Sequence, residues 1–569
     1  MKFLLPMMSL LAAAAIAASG LSPARSGDGP PDAQDFSLAR VAPPWDASRP
    51  SIYRYLEPFA AQKDGLTEAQ LALPDDAVYA AAAMNGIRWA PGAIDGLFTH
   101  HVSSLADPER VEIVYAALLA FLDNPGADSL AAFYAPVIAE TTVLDVVDGL
   151  KEKIYADQPD NAELLHDLAY WLATESPDRN AVKLGIALLG MFVTRYNTEL
   201  LTLGMHDEFT LYAMVALATT NPAERAEDLI FGLVRRVHGW GRIFAVERLA
   251  GTGRRDIRNW LVREGYKNNI MTEYTAYECA VTGHLLDDLR ALAVYGGPRA
   301  ADRDLITGAG EILTALLREG PVEGMAQYAD GVAAIEQFLP YLETAGTGDP
   351  RVFLYASDIG NFTVDPDQDW EKLEAIGWTP EKRTAILERA EAVTKRPEWR
   401  GILLAMLEDI KGDAFLSAAA AADRLGLDTW PFRFRRLEAT AGNDWDGAWL
   451  ELMDTGDADR VAAVLRLAGD TLDWEAVAGH AGGEADSSSL VTMFDAVLHG
   501  LNAHPGEGWR FVEAGLRSPV PRYRRSAVGC LAEWGKLNWP PEAEAELRRA
   551  LGREKEEEVE KEMRAVLEP

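Results

Sequence analysis

The chain has few cysteines, a shortage of positive charge and almost no long apolar runs. Two cysteines in 569 residues exclude a disulfide scaffold and any Cys-rich zinc or iron–sulfur domain. Lys and Arg total 54 against 88 Asp and Glu, a formal charge of −34. Such acidity opposes the wide contact with nucleic acid or anionic lipid that a basic surface would allow. The sequence contains no G-x-x-x-x-G-K-[ST] and no G-x-S-x-G, so P-loop and serine-hydrolase-elbow chemistry lack their scaffolds. Alternating strand patterns are almost missing. What remains is globular in composition, with 48% apolar and 25% charged residues.

The one long apolar run is at the start. Lys2 precedes Phe3–Ala18, and the small-residue triplets Ala15-Ile16-Ala17, Ala18-Ser19-Gly20 and Ser22-Pro23-Ala24 follow as peptidase sites. The run is shorter than the roughly 20 residues of a spanning helix, and no lipobox cysteine ends it. The expectation is a signal peptide over 1–24 and export to a periplasm or the medium, with no stable membrane anchor after cleavage. Residues 25–50, rich in Pro and Gly, read as a flexible linker.

From Ser51 onward the periodicity is helical. Val182, Ile186, Leu189 and Phe192 recur at helical spacing behind Pro177, and Thr379-Pro380-Glu381 combines a hydroxyl cap, a first-turn proline and an acid. The segments 240–249, 254–264, 270–282 and 285–294 predict four short helices, with Gly265 and Gly283 placed to take left-handed caps. Tyr523, Ala527, Leu531 and Trp534 head a C-terminal block completed by helices over 542–551 and 556–567. Short paired helices that cannot bury their own stripes must stack. The expected fold is all-α, a HEAT-like α-solenoid, with a closed toroid of helical hairpins as the alternative. Its parts are an N-terminal array over 51–344, an irregular connector over 345–378 and a C-terminal array over 379–569. Arg351–Val364, inside the connector, is ambiguous between helix and strand.

Metal and cofactor signals fail on inspection. Asp365, Asp367 and Asp369 have calcium-loop spacing, but Trp370 stands where a glycine is needed and Ile376 where a glutamate is; a capping turn ahead of Trp370 explains them. Glu163 and His166 form a single Glu-x-x-His where a di-iron bundle needs two. His166-Asp167 and His206-Asp207 are short enough to arise by composition. Gly308-Ala309-Gly310 lacks a third glycine. Cys279 and Cys530 read as buried apolar side chains. No cofactor or metal is expected.

One segment reverses the global charge. Between Arg235 and Lys267 nine basic residues oppose three acids, a local balance of +6 within a body of −40. Glu247 falls 40° from Ile243 on a helical wheel, at the edge of an apolar arc, so an arginine partner is expected from Arg235, Arg236 or Arg255. Either these charges hold repeats in register, or they form a groove for a protein or peptide-like partner, with an anionic one admitted. The candidate binding residues are His238, Trp240, Arg242, Glu247, Arg248, Lys267, Asn268, Asn269 and Glu273.

The same segment carries a family resemblance. His238-Gly-Trp-Gly-Arg-Ile-Phe-Ala-Val-Glu-Arg-Leu249, Trp260-Leu-Val-Arg-Glu-Gly-Tyr-Lys-Asn-Asn-Ile-Met271 and Tyr274-Thr-Ala-Tyr-Glu-Cys-Ala280 resemble a bacterial family often labelled limonene hydroxylase, over about residues 230–284. The resemblance implies a helical-repeat fold and hydroxylation of a monoterpene; the leader departs from its intracellular-looking members. Fifteen tryptophans add a third alternative, a carbohydrate-active helical toroid with paired carboxylates. The primary expectation is an exported scaffold that binds a protein or peptide-like partner and no nucleic acid.

Overall fold

A computed structural model describes residues 37–568, apart from 83–88, 103–106, 140–141, 193–195, 295–301, 319, 321, 441–446, 473, 475–476 and 478–488. The expected signal peptide and residues 25–36 of the expected linker lie outside the described residues. Among those described there are thirty α-helices and no strand. None of these helices is long and apolar enough to cross a membrane.

The helices are short because caps and prolines end them. Asp107 accepts a hydrogen bond from the Arg110 amide with Pro108 in the first turn, and Asp302 and Asp457 cap their helices in the same way. Many successive helices pack in pairs, and several also pack on the next but one, as Asp207–Thr220 does on Trp240–Arg248 and Ser489–Leu501 on Pro521–Trp534. Packing to both the next helix and the one after it is the stacking that a solenoid requires.

Contacts divide the described residues into two compact units, one of those up to 345 with 355–391 and one of 346–354 with those from 392 onward. In the second, Ser526, Cys530 and Trp534 reach back to Asp495, Leu498 and Leu501, a register of 31 to 33 residues that sets the repeat. Arg517–Glu546 and Arg524–Glu554 ion pairs span 29 and 30 residues and tie the next layers together. Phe494, Phe511, Tyr523 and Trp534 fill its core.

Several expectations need correction. Residues 37–50 are packed rather than a flexible linker: Trp45 stacks on Trp171 at 4.6 Å, and Arg49 pairs with Asp178 at 2.6 Å. The connector 345–378 is mostly helical, with helices Pro350–Val364 and Trp370–Ala375. In the first of these Phe353, Ala356, Ile359 and Phe362 are buried at three-residue steps, a period that an apolar run of neighbouring β-branched and aromatic residues hides. Gly283 is not left-handed (φ −71°); the left-handed residue is its neighbour His284 (φ 56°). Gly283 is small for another reason, since a Cβ there would lie 2.2 Å from the Cys279 carbonyl oxygen. Gly265 likewise has no positive φ and packs against Leu261 and the Trp260 ring. Gly308 and Gly310 let helix Arg303–Leu317 approach Val262 and the Tyr355 ring.

Candidate functional site

The N-terminal unit is organised around charges that are fully buried. Lys183, on a helix (Arg179–Leu189) whose every residue is buried, places Nζ 2.8 Å from Asp95 Oδ2 and 2.5 Å from Glu208 Oε1. Arg179 makes a two-pronged contact with Asp75, and Thr142 donates to Asp95 at 2.8 Å. The two cations hold the Glu208 carboxyl below its usual range against the opposing effect of burial.

Three consecutive residues, His206, Asp207 and Glu208, act as separate clamps at the start of helix Asp207–Thr220. His206 Nε2 lies 3.1 Å from the Leu71 carbonyl. Asp207 accepts from the amides of Gly239 and Gly241 at 3.3 and 3.0 Å; burial pushes its carboxyl up to about 6, and those two N–H groups oppose the rise. Glu208 accepts from the Gly92 amide at 2.9 Å. The two glycines around Trp240 follow from this: a Cβ on Gly241 would sit 2.4 Å from both Asp207 Oδ1 and Thr210 Oγ1.

Trp240 is thereby fixed on helix Trp240–Arg248. Its indole packs over Gly96, where a Cβ would come within 2.2 Å of the ring. It also lies against His100 (5.6 Å) and Tyr274 (5.0 Å). Gly96 and His100 are four residues apart and share one face of helix Ala93–His101. His101 Nε2 lies 3.0 Å from the Tyr274 hydroxyl.

Glu247 faces this aromatic wall, and its partner is a correction to the sequence reading. Among the described residues no arginine pairs with it. His100 Nε2 lies 3.1 Å from Glu247 Oε1, with the two side chains 8% and 23% exposed. Among the described residues neither His100 Nε2 nor Glu247 Oε2 has a hydrogen-bond partner. Burial first, then the charges of Glu278 and Glu323, push the Glu247 carboxyl up to about 8. Burial and the charge of His101 pull His100 down to about 4. At neutral pH the pair is a protonated acid beside a neutral imidazole.

The remaining sequence candidates do not converge on one groove. Arg242 is buried and donates to the carbonyls of Val237, Glu264 and Lys267, which locks the turn behind Trp240. Lys267 pairs with Glu264. Asn268 folds its amide back on Met271 and accepts from the Ile270 and Met271 amides, while Asn269 is exposed and its amide donates to the His238 carbonyl. His238 Nε2 meets the Asp64 carbonyl. Glu273 pairs with Arg318 at 3.2 Å. Arg248 is half-buried and makes no ion pair among the described residues. Trp240, Glu247 and the missed residues His100, His101, Tyr274, Glu278 and Glu323 form the cluster. A signal for His100 and His101 existed in the adjacent pair itself, but their partners lie more than 140 residues away.

Among the described residues no group of three His, Cys, Asp or Glu is placed to hold a metal ion. Asp365 and Asp369 spend their oxygens on turn and cap hydrogen bonds to Asp367 and Lys372. Cys279 and Cys530 are free and buried. No family model, curated protein or solved structure matches the chain, so the resemblance of 230–284 to the limonene hydroxylase family has no independent support.

Proposed function

We propose that the chain is an exported HEAT-like scaffold that takes a protein or peptide-like partner on its N-terminal unit, where helices Ala93–His101, Trp240–Arg248 and Glu273–Thr282 meet. The observation that carries this reading is the adjacent pair of buried polar atoms, His100 Nε2 and Glu247 Oε2, that make no hydrogen bond among the described residues. Leaving such an atom unsatisfied costs roughly 1–3 kcal/mol, a cost that a ligand removes. Val102, Met271 and Val281, which belong to or flank the same helices, are 38%, 43% and 44% exposed and give a partner apolar area beside those polar atoms. An anionic partner on the basic segment is less well supported. Arg236, Arg242, Arg254, Arg258, Arg263 and Lys267 are already engaged within the chain. Export is supported by Lys2 and the apolar run that follows it.

Panning a phage-displayed random peptide library on the purified protein tests the reading. The expected result is an enriched set of peptides whose binding is lost in Tyr274→Ala, measurably weakened in Glu247→Gln and kept in Arg510→Ala. No enrichment, or binding indifferent to both site substitutions, would overturn it. One observation favours a second reading, proton transfer on a small substrate: two adjacent groups are displaced in opposite directions, Glu247 up and His100 down. Turnover of a bound compound that Glu247→Gln abolishes would select it over binding alone.

A further inference from the structure

We propose that the partner is recognised through a basic side chain, lysine or arginine, seated among Glu247, Glu278 and Glu323 beside Tyr274 and Tyr277. This rests on the peptide reading above and names what the site selects.

Elsewhere in this unit most acids drawn into the fold have cations: Asp75 has Arg179, Asp95 and Glu208 have Lys183, Asp145 has Arg110, and Glu273 has Arg318; Asp207 is held by two backbone amides instead. Among the described residues no lysine or arginine pairs with Glu247, Glu278 or Glu323. The three are close enough for Glu278 and Glu323 to raise the Glu247 carboxyl and for Glu323 to raise Glu278, in both cases behind the larger effect of burial.

A second observation points into the same place. The His100 side chain is more than nine-tenths buried, is aimed at Glu247 with Nε2 3.1 Å from Oε1, and that nitrogen makes no hydrogen bond among the described residues. Burial keeps this imidazole neutral at pH 7, so it does not neutralise the acids. The groups around Glu247 can be stated element by element. Helix Ala93–His101 brings His100 and His101, helix Glu273–Thr282 brings Tyr274, Tyr277 and Glu278, and the segment 322–330 brings Glu323. Arg248, next on Glu247's own helix, makes no ion pair among the described residues, and the charge of Glu273 is taken by Arg318. The cluster therefore lacks one cation. Because no three donors there are placed for a metal ion, the chemistry that fits is an ammonium or guanidinium, which gains further from phenol faces. Its arrival favours the ionised form of Glu247, so binding at pH 7 releases the proton that the acid holds.

The test uses the full chain and the peptides recovered by panning. In each peptide every arginine is replaced by citrulline and every lysine by norleucine, and affinities are measured by calorimetry at pH 7 in two buffers of different ionisation heat. The expected result is a shared basic position whose neutral replacement weakens binding by ~30-fold or more. A proton should be released on binding to the native chain and none to Glu247→Gln. The exposed Glu323→Ala, which disturbs no packing, should weaken the same peptides by roughly 3-fold. Peptides that lack a basic residue, or that bind equally as citrulline or norleucine variants, or that release equal protons with Glu247→Gln, would overturn the inference and leave the peptide reading standing. Recovery of no peptides would overturn both. Proton release on adding zinc or calcium ions alone would replace the organic cation with a metal.

Discussion

Burial and two neighbouring acids hold the Glu247 carboxyl protonated at pH 7, and the consequence for stability has a definite sign. The ordinary value is 4.5 and the folded value about 8, so the folded state binds this proton more tightly than the unfolded chain does. The resulting stability is complete below about pH 4.5 and is lost as pH rises through about 8. Glu247→Gln keeps the shape and never ionises. It should match the native chain near pH 5 and exceed it by roughly 2–4 kcal/mol above pH 8, as urea melts at pH 5, 7 and 9 will show. Stability curves that stay parallel across that range would contradict the assignment. At this scale the sequence was partly informative. The position of Glu247 on an apolar arc exposed the conflict between charge and burial. The expected resolution, an arginine, was wrong because the neighbour comes from His100, 147 residues earlier, and no local period encodes that contact.

At the scale of elements, the turn Gly239-Trp240-Gly241 joins three helices through backbone amides rather than through side-chain bulk. Asp207 accepts from both glycine amides, and Arg242 closes the far side of the turn. Gly241→Ala should cost roughly 1–3 kcal/mol, because its Cβ would collide with Asp207 Oδ1 and Thr210 Oγ1. Gly232→Ala is the control: it lies within helix Ala223–Val234 with nothing within 4 Å of the new methyl and should stabilise by about 0.5–1 kcal/mol. Thermal melts of the two variants moving in the same direction would refute this distinction. Helix positions across 240–294 were legible from periodicity, as were those of the C-terminal block. The roles of the glycines were not. Gly283 marks a helix end in sequence, but its smallness serves a neighbouring carbonyl, and His284 takes the left-handed turn.

At the scale of the molecule, the net charge of −34 conceals a chain that pairs many of its buried ions, with Asp207 and Glu247 as exceptions. Lys183 is the centre of that pairing in the N-terminal unit, and Lys183→Met leaves Asp95 without its cation and Glu208 with Arg179 alone, at a cost of about 3–5 kcal/mol. Trp534 plays the corresponding apolar role in the C-terminal unit, where it is 2% exposed, and Trp534→Ala should cost about 3–5 kcal/mol. Calorimetry should show each substitution lowering a different transition; one common shift would mean that the two units unfold together. The all-helical, stacked class could be read from short amphipathic segments because stacking is their only means of burial. The basic segment misled for a physical reason: linear charge density takes no account of carbonyls and carboxylates folded against it.

The claim on which this account turns is that Glu247 is an uncompensated, protonated acid awaiting a cation. Isotope-edited infrared difference spectra of glutamate-labelled protein, native minus Glu247→Gln, measure its titration directly. One carboxyl band should disappear with a midpoint near pH 8 and move to lower pH when a panned basic peptide is bound. A midpoint in the ordinary glutamate range near 4.3, unchanged by peptide, would contradict it.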